Sequence, residues 1–202
     1  PLIAWSIEAA HGSALVDRTV LSSDDTDIIA VAREWGCDVP FVRPAELATD
    51  RASSIDVMLH AMQAVEAEGD RFDYLVLLQP TSPLRASEDI DACLRMCADQ
   101  EAPAVVAICE LEHGPHLMLR REDDGSIQPL LPEFPSTTRS QDVPPAYLIN
   151  GAVYVVDWEK FKKNRVIMSA GTLGWVMPQE RSVDIDKSLD MTLAGALLNI
   201  SG

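Results

Sequence analysis

Two acids one residue apart, Asp184 and Asp186 in Ser182-Val183-Asp184-Ile185-Asp186, carry the strongest chemical signal in this sequence. Side chains alternate faces along a strand, so Val183 and Ile185 can enter a core while both carboxylates point the other way. Their Cα atoms would then stand about 6 to 7 Å apart. That arrangement suits a hard divalent cation that keeps some of its waters and shares itself with phosphate oxygens. The same residues also describe a strand end with two solvated acids leading into a helix.

A second cluster is Gln79-Pro80-Thr81-Ser82-Pro83-Leu84-Arg85. Two prolines stiffen the loop, so Gln79 and Ser82 can offer fixed hydrogen-bond partners and Arg85 a cation. A plain strand-to-helix turn with a solvated Arg85 fits equally well. The polar stretch from Arg43 to Asp50 leads to Ala52-Ser53-Ser54, where a helix amino terminus would present N–H groups to a base or phosphate, or where a serine simply caps the helix. Asn150-Gly151 reads as a β-bulge or as an amide offered to a ligand's hydroxyls. His113 and His116 could chelate a metal, but no third ligand lies near them in sequence. No G-x-S-x-G elbow, paired Cys/His nucleophile or G-x-G-x-x-G loop occurs, which disfavours acyl transfer and dinucleotide binding.

The chain that must position these groups has 202 residues, 47% of them hydrophobic, enough for one α/β domain with a substantial core. Its net charge of −16 disfavours nucleic-acid binding, which needs a basic footprint. A phosphate-bearing substrate would be repelled by that field, so its site must supply local cations. No apolar run reaches the roughly 18 residues of a membrane span and no signal peptide is evident, so a cytoplasmic protein is expected. Cys37, Cys93, Cys97 and Cys109 lack C-x-x-C spacing; Cys93 and Cys97, one helical turn apart, fit a buried helix face of reduced thiols.

Periodicity predicts alternating elements. Helices are expected from Pro1, from Asp24–Asp27 to Gly36, from Ser53 or Ser54 to Gly69, from Ser87, and at the end over Leu189, Leu193, Leu197 and Ile200. Strands are expected at Arg18–Ser22, Val39–Val42, Tyr74–Leu78, Ala104–Ile108, Ala152–Val156 and Ser182–Asp186, with a hairpin turn at Asp123–Ser126. The stretch from Pro132 to Pro145 reads as irregular, and Asp157–Gly174 as an excursion that packs on another subunit. The sum is a three-layer α/β fold with a mostly parallel sheet, which binds ligands beyond the carboxyl ends of its strands.

Six segments together resemble the acylneuraminate cytidylyltransferases, the CMP-sialic acid synthetase family. They are Pro1–Ile7, Ser22–Asp25, Arg43–Asp56, Leu77–Arg85 (L-L-Q-P-T-S-P-L-R), Asn150–Tyr154 (N-G-A-V-Y) and Arg181–Asp190 (R-S-V-D-I-D-K-S-L-D), in the family's order along nearly the whole chain. The resemblance implies a Rossmann-like nucleotidyltransferase fold working as a homodimer, with the excursion around Ile167 and Met168 reaching across the interface. It implies attack by the anomeric hydroxyl of a nonulosonic acid on the α-phosphate of CTP, releasing pyrophosphate. Arg43 and Ser54 would face the cytidine, Gln79, Ser82, Asn150 and Arg139 the substrates, and Asp184 and Asp186 would hold Mg²⁺. Asp186, Gln79 and Arg85 would be the catalytic groups. Such chemistry needs positioning and charge neutralisation, not a covalent nucleophile.

Two departures from the family pattern carry expectations of their own. The A-R-x-G-S-K-x-x-x-x-K-N loop that wraps the triphosphate is not among these residues, so the 202 residues by themselves are expected to be inactive. Leu117, Ser140 and Leu148 stand where sialic acid enzymes tend to place basic residues, which leaves a legionaminic- or pseudaminic-type acid, or another sugar, open. The alternatives are a nucleotidyltransferase of the same fold using another nucleotide or a sugar phosphate, a non-catalytic nucleotide-binding or dimer-scaffold domain, and a D-x-D glycosyltransferase.

Overall fold

The computed structural model describes residues 1–49, 51–132, 139 and 143–201. In chain order its elements are α1 (Leu2–Gly12), α2 (Thr26–Glu34), α3 (Ser54–Ala67), β1 (Tyr74–Leu77), α4 (Ser87–Asp99), β2 (Ala104–Glu110), β3 (Leu119–Arg121), β4 (Ile127–Pro129), β5 (Tyr147–Asp157), α5 (Trp158–Asn164), β6 (Leu173–Val176) and α6 (Ser188–Ser201). The helix starts follow the cap chemistry. Asp25 accepts the N–H groups of Asp27 and Ile28, and Ser53 accepts that of Ile55, so each satisfies donors the first turn leaves open.

Four strands form the central sheet in the order β1-β5-β2-β6. β1, β2 and β6 share one direction; β5 runs against them between β1 and β2, so both of its ladders are antiparallel. Val105, Val153, Val155 and Val156 are fully buried, as expected of strands covered on both faces. Ile90, Cys93, Leu94 and Cys97 of α4 pack on one face with Ala9 of α1. Met58, Met62 and Val65 of α3 cover the other, together with Trp158 and Phe161 of α5. Each large side chain so buried contributes about 1.5–3 kcal/mol of transfer free energy. Burial raises the thiols of Cys93 to about 12 and Cys97 to about 11, consistent with an inert helix face.

Several expected strands take other forms. Arg18–Ser22 forms a single parallel bridge, Val20 to Asp38, and Val39–Val42 forms no strand. Arg18 fastens this segment by ion pairs to Asp38, Glu68 and Asp70. Ser182–Asp186 is not a strand. It has no neighbouring strand to pair with, and the Ile185 N–H donates to Thr81 O at 2.8 Å. The alternation survives without the ladder: Val183 and Ile185 are half-buried, Asp184 and Asp186 exposed.

The segment Asp157–Gly174 is not wholly an excursion. Trp158 and Phe161 anchor α5 in the core at 4% and 2% exposure. Residues 165–172 lie outside helices and strands, with Val166 and Met168 exposed. Asp123–Ser126 turns the β3–β4 hairpin as expected, with Asp124 accepting from the Ser126 N–H and Oγ. Most of the Pro132–Pro145 stretch, Ser140 included, lies outside the described residues. No described helix is long and apolar enough to cross a membrane.

β1 is the edge of the sheet. Between it and residues 15–22 opens a cavity of about 420 Å³, lined by apolar side chains such as Ile7, Leu21, Met58 and Leu75, with Ser22, Arg43 and Gln79 among its polar lining residues.

Candidate active site

The site is built where β1 ends. Pro80 cannot continue the strand, and the chain turns through Gln79–Arg85 before α4 begins. Arg85 holds this turn in place. It is only 4% exposed, and its guanidinium donates to Ala152 O at 2.6 Å, to Ser6 Oγ at 2.6 Å and to Gln79 O. Burial pulls its pKa down to about 10, against the opposing pull of the Asp184 and Asp89 carboxylates. The expectation of a ligand-facing catalytic cation is therefore corrected. Each nitrogen of Arg85 donates to one of the protein's own acceptors, an arrangement that holds the turn.

Ser82 and Asn150 are likewise turned inward. Ser82, fully buried, donates to Asn150 O at 3.0 Å and lies 3.4 Å from Asp184 Oδ1. Asn150, 2% exposed, accepts the Ala152 N–H at Oδ1, and its Nδ2 donates to Ser182 Oγ at 2.9 Å. Its amide is satisfied inside the protein, so it too shapes the site from beneath. The expected bulge is present: the β2–β5 pairing jumps from Val106 opposite Tyr154 to Ile108 opposite Ile149, and Asn150 and Gly151 lie in the jump.

Gly151 at φ +74° is the point on which the cluster converges. A Cβ there would stand 2.7 Å from Gln79 Oε1, 2.8 Å from Ser82 Oγ and 3.6 Å from Asp184 Oδ2. Only glycine allows this approach, for its backbone conformation and for lack of a side chain. Segments around positions 79, 82, 151 and 184 thus bring three oxygens together. An all-oxygen set with exposed carboxylates at Asp184 and Asp186 fits Mg²⁺, which needs only one or two carboxylates when phosphates and water complete its shell. Three or more His, Cys, Asp or Glu side chains do not gather into a metal group among the described residues. His113 is exposed and His116 buried, so the two are split between surface and interior. Asp186 is exposed, and Asp190 fixes the backbone there by accepting the N–H groups of Asp186 and Lys187 at 3.1 and 2.8 Å.

The remaining residues lie apart. Arg43 faces the cavity, half-buried, with Nε on Ser22 Oγ at 3.0 Å and Nη2 on Ser22 O. Ser54 is exposed at the start of α3, while Ser53 does the capping. Arg139 is exposed, and the contacts of the described residues do not bring it to the cluster. Leu117 and Leu148 are 53% and 56% exposed, as surface positions.

Sequence reasoning missed three residues. Ser6 is buried under Arg85, Asp89 is 2% exposed in the first turn of α4, and Arg181 pairs with Asp89 through Nε at 3.0 Å and Nη2 at 2.8 Å. An acid at the third position of a helix whose cap is an alanine was the available signal for Asp89.

The cytidylyltransferase family model matches residues 1–119, more than half of the chain. The chain belongs to the cytidylyltransferase family. Among its relatives, the pseudaminic acid cytidylyltransferase of Campylobacter jejuni is 29% identical over 201 residues, covering 100% of this chain and 86% of that protein. The N-acylneuraminate cytidylyltransferase of Escherichia coli is 30% identical, covering 96% of this chain and 45% of that one. The CMP-N,N'-diacetyllegionaminic acid synthase of Legionella pneumophila is 28% identical, covering 100% and 86%. Among solved structures, CMP:2-keto-3-deoxy-manno-octonic acid synthetase with CTP superposes with a TM-score of 0.70 at 13% identity, covering 100% of this chain and 89% of that one. A 4-diphosphocytidyl-2C-methyl-D-erythritol synthase does so at 0.67 and 12%, covering 98% and 90%. These two establish the cytidylyltransferase fold, and the family assignment makes the protein a cytidylyltransferase enzyme. Asn150, Asp184 and Asp186 lie beyond the matched residues, within the span aligned to the relatives.

Proposed function

We infer that this cytidylyltransferase moves CMP from CTP to the anomeric hydroxyl of a nonulosonic acid and releases pyrophosphate. The observation that carries the reading is the convergence of Gln79 Oε1, Ser82 Oγ and Asp184 Oδ2 on the bare face of Gly151, next to an open cavity. In three relatives whose names state a substrate, that substrate is a sugar acid of this class.

In this reading Arg43 and the amino terminus of α3 at Ser54 face the cytidine side of the cavity. Gln79, the cluster member whose side chain bonds no other part of the site among the described residues, orients the sugar hydroxyls. Arg85 and Asn150 hold the turn and the bulge at fixed separation, so the reacting groups meet with little reorganisation. Mg²⁺ held by Asp184 and Asp186 would neutralise phosphate charge and lower the pKa of the attacking hydroxyl. The exposed apolar residues Val166 and Met168, with Leu189, Met191 and Leu193 of α6, supply the face of a homodimer. Leu117 and Leu148, as exposed apolar residues in place of bases, favour a legionaminic- or pseudaminic-type acid over N-acetylneuraminate.

The test is incubation of the full-length protein with CTP, Mg²⁺ and a panel of nonulosonic acids. Pyrophosphate release with one of them is expected, and release with none would overturn the reading. Competition of CTP against GTP, UTP and ATP checks the nucleotide: displacement of CTP by another base at equal concentration would assign the same fold a different donor.

A further inference from the structure

We propose that the Asp89–Arg181 ion pair is a positioning device. It sets where the Asp184 carboxylate stands, and so how tightly the Asp184/Asp186 pair holds a divalent cation. The proposal rests on the reading of those two acids as a cation site.

The loop that carries both acids has no ladder of its own. It leaves the single 3₁₀ turn Gln179–Arg181 and reaches α6 without entering a helix or strand. The location of such a segment is decided by its tethers. Among the described residues, four hydrogen-bonded contacts reach residues 181–185 from the body of the fold: Arg181 to Asp89, Ser182 to Asn150, Asp184 to Ser82 and Ile185 to Thr81. Three of the four end on the Gln79–Arg85 turn or on the first turn of α4 that follows it.

Among these tethers only the first is charged and two-pronged, at 2.8 and 3.0 Å, the geometry that makes an Arg–carboxylate pair both strong and directional. Its buried end is fixed in the fold by contacts of its own. Asp89 is 2% exposed, accepts the Ala86 N–H at 3.0 Å and lies in the first turn of α4, where the helix dipole favours a negative charge. Arg181, with its side chain 42% exposed, is the partner that adapts. The hydrogen bonds to Asp89 raise its pKa, so it stays charged throughout the working range. Arg181 therefore brings the loop to the helix, and Asp184 lands beside Ser82 and Gly151 three residues later.

A merely structural pair, a through-space charge and a positioning pair make opposite predictions for Arg181→Gln. Loss of a nearby positive charge would tighten cation binding, a structural loss would lower the melting temperature and leave the folded protein's affinity alone, and displacement of Asp184 weakens binding. The experiment is titration of the full chain with Mn²⁺, read by the electron paramagnetic resonance signal of the free ion, with folding followed by circular dichroism. Removal of an outer partner of a metal ligand weakens binding by roughly ten- to a hundredfold, and Arg181→Gln is expected near the lower figure, about tenfold. Arg181→Lys keeps the charge and the fold but not the fork, and a loss of about threefold is expected because one of two bonds survives.

Unchanged or tighter Mn²⁺ binding by folded Arg181→Gln overturns the proposal, and so does wild-type affinity in Arg181→Lys should the first variant fail to fold. Lys162→Ala, which breaks a distant ion pair with Glu66, lowers stability without changing Mn²⁺ affinity. A change there equal to that of the Arg181 variants would also overturn it. Asp184→Asn separates the two claims. If it binds Mn²⁺ like the wild type, or if the wild type binds none, the cation reading itself falls and takes the proposal with it.

Discussion

The two sides of this site are organised on different principles. Over the end of β1, Gln79–Arg85, Asn150–Gly151 and Arg181–Asp186 are stitched together by hydrogen bonds between segments as far as 102 positions apart, as for Ser82 with Asp184. At the cavity, Arg43 is a lining residue whose side chain is held by one serine among the described residues, Ser22, and Ser54 lies exposed at the start of α3. Ordered polar groups with satisfied partners give fixed geometry, and an open apolar wall with few polar groups gives room. The contrast places the demand for precise placement at the acids and the demand for capacity at the cavity. Substitutions in the stitched half should therefore change catalysis or folding steeply, and those in the open half chiefly binding.

The largest effect is expected at the acids. Asp186→Asn, an exposed isostere, should lower pyrophosphate release at least about a hundredfold while circular dichroism shows an unchanged fold. Activity retained in that variant would remove Asp186 as an essential ligand and weaken the contrast at its root. Next is Arg85→Leu, which orphans the carbonyls of Ala152 and Gln79 and Ser6 Oγ. Urea unfolding should show a loss of about 3 kcal/mol, given about 1.5–3 kcal/mol for a hydrogen bond to a charged group. Unaltered stability with lost activity would instead move Arg85 into contact with substrate.

Gly151→Ala comes third. The left-handed backbone alone costs about 1–2 kcal/mol, and the new Cβ must displace Gln79 or Ser82, so kcat should fall together with the urea midpoint. In the open half, Arg43→Ala should raise the KM for CTP by about tenfold, about 1.4 kcal/mol, with kcat nearly unchanged, as for a group that binds ground and transition states alike. A fall in kcat there would show that the cavity wall is also part of the fixed machinery. The smallest effect concerns the core: Cys93 and Cys97, raised to about 12 and 11, should resist alkylation at pH 8 while half-buried Cys109 reacts first.

What the sequence made legible follows the range of the forces involved. Caps at Asp25 and Ser53, the apolar strands from Tyr74 and Ala104, and the Asp123–Ser126 turn depend on neighbours within a few residues, and all are seen. The alternation of Val183 and Ile185 against Asp184 and Asp186 was also readable, because it reflects burial alone. That this segment forms no strand was not, since a ladder needs a partner and no local signal reports its absence. The antiparallel run of β5 between β1 and β2 was hidden for the same reason. Arg85 and Asn150 were the misleading residues. Polar side chains on a loop and before a strand look available for a ligand, and only the tertiary fold shows them committed to Ala152, Gln79 and Ser182. Asp89 and Arg181, 92 positions apart, had no shared signal at all.

Cytidylyl transfer to a nonulosonic acid at the Gly151 cluster is the activity proposed for this protein. Mass spectrometry of the products from full-length protein, CTP, Mg²⁺ and a nonulosonic acid panel tests it most directly. A CMP–sugar ester formed from CTP with at least one of these acids, together with pyrophosphate, is the expected result. No such ester from any of them, or equal yields when CTP is replaced by another nucleoside triphosphate, would contradict it.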